Sequence, residues 1–278
     1  MPELVSWSWD ATILVLLLVT GCAYTIAVGR LWDRAGAGRG LRWWEATAFL
    51  AGWTALLAAL VSPLDALSDV LFAAHMTQHE LLILVAAPLV VLGRPLAVLI
   101  WLLPERARTR VRAVQRPALR AIWQRLTAPL TVLLLHGIVL WVWHVPVLFE
   151  AALCSEAVHA FQHLCFFWTA LLFWWAVVHG RYGALGYGVA VLFVFVTAVH
   201  TSVLGALLTF APVTLYPTYA RTAPARGVDA LEDQQLAGLL MWVPSGALLL
   251  VVGLALCAAW LGAAERRDNL ASAPHGPT

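Results

Sequence analysis

Two histidine pairs are the residues of this 278-residue chain best placed to do chemistry. The first lies in Ala74-His75-Met76-Thr77-Gln78-His79, the second in Val158-His159-Ala160-Phe161-Gln162-His163, and both read HxxQH. On a helix, residues i and i+4 share one face with β-carbons about 6 Å apart, so two imidazoles can converge on one metal ion. His144 closes the apolar stretch before the second pair and falls at a comparable depth. Neutral imidazole suits copper, zinc, iron and nickel, and a methionine thioether favours Cu(I). Met76 and Met241, two of only three methionines, are second-tier ligands together with His200. Asp65 and Asp233 are outer partners able to orient imidazoles by hydrogen bonding.

The reading is therefore a copper site, Cu(I) above all, on His75, His79, His144, His159 and His163, with zinc as the alternative ion. A haem held by two of the histidines is the second reading. A metal or proton transporter, with His136 and His200 continuing a path inward, is the third. His136 and His179 read more simply as hydrogen-bonding residues between helices, at about 1 kcal/mol each. No enzyme is expected, because there is no nucleophile–base pair, nucleotide loop, HExxH or GxSxG. The four cysteines, Cys22, Cys154, Cys165 and Cys257, form no ligand-like pair.

The elements that carry these histidines belong in a membrane. Hydrophobic residues make up 62% of the chain and charged residues 12%, against roughly 25% charged in a soluble domain. Several uncharged runs reach the length a spanning helix needs, and no alternating barrel pattern occurs. The expected fold is an all-α integral membrane helix bundle, one membrane domain over 1–278. About seven spans are expected, near 10–30, 44–62, 70–92, 127–145, 156–179, 187–210 and 234–262, followed by a flexible cytoplasmic tail at 263–278. The apolar segment 94–103 is too short to span and should lie in the interface or fold back on the bundle.

Arginine counts set the orientation. Four arginines fall in 30–43, eight in 93–126, one in 180–186 and two in the tail, against only Arg221 and Arg226 on the opposite side. The N-terminus is thus expected outside and the C-terminus in the cytoplasm. Of the seven histidines other than His179 and His275, six then lie in the outer half or at its outer edge, with His136 nearer the midplane. Asp65, Asp69, Glu150, Glu156, Asp229, Glu232 and Asp233 collect at the same outer side. The arginines of 105–125 read as a topology signal and a contact for anionic membrane lipid rather than for nucleic acid.

A longer pattern surrounds the histidines. Ser62-Pro63-Leu64-Asp65, Leu71 to His79, Ala87-Pro88 and Gly93-Arg94-Pro95 form its first part. Trp143-His144-Val145-Pro146, Leu204-Gly205-Ala206-Leu207-Leu208, Leu215-Tyr216-Pro217, Glu232 to Gly238 and Met241-Trp242 continue it. Together these segments closely resemble the CtaG family of cytochrome c oxidase assembly factors, with Gln162 standing where the family favours an acidic residue. The resemblance implies a multi-pass protein of the bacterial cytoplasmic (inner) membrane. It also implies a role in assembling haem–copper oxidases of the caa3 type, with cytochrome c oxidase subunits as partners and metal insertion as the step served.

Overall fold

The computed structural model describes residues 7–113, 117–179 and 182–271, and all regular structure among them is helical. Helix α1 (Ala11–Ala35) is started by Asp10, whose carboxylate accepts the Thr12 and Ile13 amides at 2.7 and 3.0 Å. After α2 (Trp43–Leu60), Ser62 caps the short α3 (Pro63–Ser68). A continuous helical rod then comprises α4 (Phe72–Glu80), a π-helical stretch at Leu81–Ala86, and α5 (Ala87–Leu92). Pro88 explains the irregular middle, because a proline removes the amide that would bond the carbonyl four residues back. The rod's widest turn thus follows directly on His79 and Glu80.

The chain folds back through α6 (Pro95–Leu99) and a 3-10 turn at Ile100–Leu102, which pack on α1. Two arginine-rich helices follow, α7 (Glu105–Ala113) and α8 (Pro117–Leu126). Next come α9 (Pro129–Trp143), α10 (Pro146–Cys154), α11 (Glu156–His179) and α12 (Tyr182–Thr209). The last elements are α13 (Pro217–Thr222), a 3-10 turn at Pro224–Arg226, and α14 (Ala230–Ala271). Prolines open α3, α6, α8, α9, α10 and α13, where the missing amide leaves nothing unsatisfied and φ is already helical.

Five of these helical segments are long and apolar enough to cross a membrane: Ala11–Ala35, Phe72–Leu92, Glu156–His179, Tyr187–Thr209 and Ala230–Arg266. A sixth is counted if α8 and α9, bent by 56° at their junction, act together. By length and composition the described residues thus hold five or six candidate spans, where about seven were expected. The segment expected at 44–62 is indeed helical as α2, but three tryptophans, two threonines and Glu45 dilute its apolar character. The span expected at 127–145 is also not one straight helix, since α9 alone has 15 residues. Helix α14 runs on to Ala271, so 263–271 is helix and not the flexible tail expected there; 272–278 lie outside the described residues.

The faces turned away from the bundle are apolar. Leu134, Leu164, Trp168, Phe195, Leu250 and Leu254 are all more than half exposed, as hydrocarbon-facing residues of a membrane bundle should be. The most extensive helix pairing joins α12 to α14, and it depends on two glycines. A β-carbon at Gly238 would fall 2.6 Å from the Thr209 nitrogen and 2.7 Å from the Gly205 oxygen. Small residues of this kind let membrane helices approach backbone to backbone.

Candidate metal centre

Helix α4 carries the first histidine pair and is held at three points. The carboxylate of Asp233, at the start of α14, accepts the Phe72 and Ala73 amides at 2.7 and 3.1 Å and so caps α4 from another helix. Gln78, fully buried, donates from Nε2 to the Ala59 carbonyl at 2.8 Å and to Asp65 Oδ1 at 2.7 Å. The third point is Tyr219, which binds His75 as described below. The second pair lies in the first turns of α11, whose other HxxQH glutamine, Gln162, is fully buried against His75. Helix α10 is tied to α13 by Glu150, which accepts the Thr218 amide at 3.0 Å and its hydroxyl at 2.7 Å.

These supports bring the two pairs face to face. One nitrogen from each of His75, His79, His159 and His163 lies within 4.8 Å of every other. Ring centroids are 4.4 Å apart within the first pair and 4.2 Å within the second, and 5.0 Å from His75 to His159 and 5.2 Å from His79 to His163 across the helices. A tetrahedral ion with bonds near 2 Å holds its nitrogens about 3.3 Å apart, so small side-chain rotations close the gap. Phe149 and Phe166 pack on the rings of His75 and His79. Nε2 of all four histidines is buried without a hydrogen-bond partner, and so is Nδ1 of His79. Buried polar atoms in folded proteins are nearly always paired, so this group of nitrogens is built to receive something.

Tyr219 fixes the His75 ring. Burial first, then Asp69 and Asp233, push its phenol well above the ordinary value, so it keeps its proton. That proton goes to the Ser68 carbonyl at 2.7 Å, and the phenol oxygen lies 3.0 Å from His75 Nδ1. His75 therefore donates from Nδ1 and presents the Nε2 lone pair to the other histidines. His159 is the least buried of the four, and an acidic rim lies beside it. There Asp69 is held above the usual carboxylate range by burial, by Asp65 and by Glu156.

The remaining candidates are placed differently. His144 caps the end of α9, and its Nδ1 is 2.7 Å from the Leu140 carbonyl. It contacts Phe149 and Phe166, but it is not one of the four residues whose nitrogens converge. Met76 is buried in an apolar cluster with Phe72, Phe149 and Tyr216. Met241 belongs to that cluster and also lines a cavity deeper in the bundle. His200, on α12, lies against Gly137 of α9. Asp65 bonds Ser8 and Gln78, and Asp233 bonds backbone amides; neither touches an imidazole in the hydrogen bonds described. His136 binds Thr169 at 3.0 Å across two helices, as expected, and His179 stacks on Trp175.

Two residues were overlooked by sequence reasoning. Tyr219 sits on a six-residue helix in a loop region, with no periodicity to mark it. Glu80 did carry a signal, since a carboxylate inside an apolar span is a functional candidate by default.

Fold and site together define a polytopic helical membrane protein with a buried centre of four converging histidines. Residues 22–263 match the family model described as cytochrome c oxidase caa3 assembly factor (Caa3_CtaG), and the chain belongs to that family. No curated protein and no solved structure matches it.

Proposed function

We propose that this assembly factor binds Cu(I) through His75, His79, His159 and His163 at the outer face of the bacterial inner membrane and passes it to a cytochrome c oxidase subunit. The observation that carries this reading is the convergence of four buried, unpartnered imidazole nitrogens on one small volume. Ligand charge favours the monovalent ion. All four ligands are neutral when they bind, and the cost of burying charge grows with its square, so a dication costs about four times as much as Cu(I). Zinc, always divalent, suffers most from this comparison. A haem would need a flat slot between two imidazoles, whereas here Phe149 and Phe166 pack directly on the rings.

The arginine asymmetry supports an outward site. The rim of Asp65, Asp69 and Glu156 would concentrate cations at His159, the ring nearest the surface. Exchange of ligands there, with His159 released first, would hand the ion on without opening the bundle. The reading assigns the chain no catalysis.

The test is metal analysis of protein purified in mild detergent, loaded with Cu(I) under reducing conditions and washed. Stoichiometric copper in the wild type that falls in His75→Ala/His79→Ala supports the proposal. Copper content unaffected by that double substitution overturns it, and a Soret band in the purified protein would favour haem.

A further inference from the structure

Beneath the four histidines, toward the middle of the bundle, lies a small, partly open cavity. Its polar lining comprises Glu80, His136, Thr197, Thr201 and Ser245, and Met241 lines it with them. Glu80 follows His79 directly, and its Oε2 is buried with no hydrogen-bond partner.

What matters is which of these groups still has a hydrogen to give. Thr197 donates to the Phe193 carbonyl and Thr201 to the Thr197 carbonyl, each at 2.9 Å. Ser245 donates to the Met241 carbonyl. Trp174, which also lines the cavity, spends its indole N–H on the Ile83 carbonyl at 2.8 Å. His136 faces Thr169 through Nδ1, and the Thr169 hydrogen goes to the Cys165 carbonyl at 2.9 Å. The imidazole is thus the donor in that pair, and its Nε2 is left as a lone pair. The three hydroxyls and the His136 imidazole therefore present acceptors, the Trp174 N–H is already committed, and Glu80 adds a carboxyl whose Oε2 has no partner. No arginine lines the cavity to balance it. Such a lining repels anions and fits a cation.

We propose that this cavity is a second, inner site for Cu(I), with the Glu80 carboxylate, His136 Nε2 and the Met241 sulfur as its ligand set. The choice of ion rests on the copper reading of the outer centre. The mixture of imidazole and thioether favours a soft monovalent metal over sodium or magnesium. Cu(I) takes the place of the Glu80 proton, which is released to solvent, so the occupied site is electrically neutral and the ion gains a counter-charge that the four outer histidines do not provide. The chain then offers copper two positions in series, the outer one labile and the inner one retentive.

The experiment titrates the full-length protein in mild detergent with Cu(I) under ascorbate, against bathocuproine disulfonate as competitor. Cys22 and Cys154, the exposed thiols, are first alkylated. Two equivalents per chain are expected. Met241→Leu should lose one of them together with sulfur scattering in the copper X-ray absorption spectrum. Glu80→Gln should weaken the same equivalent at least tenfold. His75→Ala/His79→Ala should lose the other equivalent and keep the sulfur signal. A single equivalent without sulfur scattering in the wild type overturns the inner site, whereas a single equivalent that carries it would overturn the outer one. The inner site is also overturned by sulfur scattering unchanged in both Met241→Leu and Glu80→Gln, where water fills the cavity instead. Failure of the outer reading would show separately, as both equivalents surviving in the double histidine variant.

Discussion

His75 uses its two ring nitrogens for different tasks, and Tyr219 keeps them apart. The phenol accepts from Nδ1 at 3.0 Å while its own hydrogen is committed to Ser68. Partners of this kind set ligand tautomer and basicity. Tyr219→Phe should therefore lower Cu(I) affinity about 10–100-fold with helix content unchanged, as measured by chelator competition. Wild-type affinity in that variant would mean that the phenol only packs. Asp69 contributes a pH dependence of its own. Burial, Asp65 and Glu156 raise its carboxyl above 3.8. For an acid raised in this way, the stability it contributes is complete below its unfolded value and is lost as pH climbs through the folded one. Asp69→Asn should thus stabilise the fold at pH 7, by at most about 1 kcal/mol for a half-exposed group, and so raise the thermal midpoint. The two proteins should converge below about pH 4. A midpoint difference independent of pH would exclude this origin.

Elements bring the histidine pairs together, and the closest of their contacts are made through glycine. Gly205 and Gly238 let α12 and α14 meet at backbone distance, with Trp242 and Thr209 on either side. Gly238→Ala must push against the Thr209 main chain, and overpacking of this kind costs about 1–3 kcal/mol. The prediction is a lower melting temperature in detergent, and an unchanged one would show that the helices separate freely. The same scale explains what could be read from sequence. HxxQH is legible because i and i+4 are local in a helix, and apolar length is legible because hydrocarbon thickness is fixed. The mutual approach of α4 and α11 is not local, and neither is the use of Asp233 to cap a helix 161 residues away. His144, expected with the pairs, lies outside the group of four whose nitrogens converge, although its Nδ1 contact with Leu140 leaves Nε2 buried and unpartnered. The segments expected to span at 44–62 and 127–145 are helical as α2 and α9, though tryptophan, threonine and Glu45 dilute the first and a 56° bend separates the second from α8.

At the scale of the molecule, the histidine centre acquires meaning from the side of the membrane it faces. Helix α10 and the acidic rim share the histidine end of the bundle, and Cys154, the last residue of α10, is an exposed free thiol there. On the orientation expected from the arginine distribution, that end lies outside. A membrane-impermeant maleimide applied to intact cells should therefore label Cys154, and Cys154→Ser should abolish the signal. The other cysteines are poor competitors. Cys22 lies within α1, where hydrocarbon disfavours the reactive thiolate, and Cys165 and Cys257 are half-buried. Labelling that appears only after the membrane is permeabilised would reverse the orientation. The four histidines would then draw copper from the cytoplasm, so this one thiol decides from which compartment the centre is loaded.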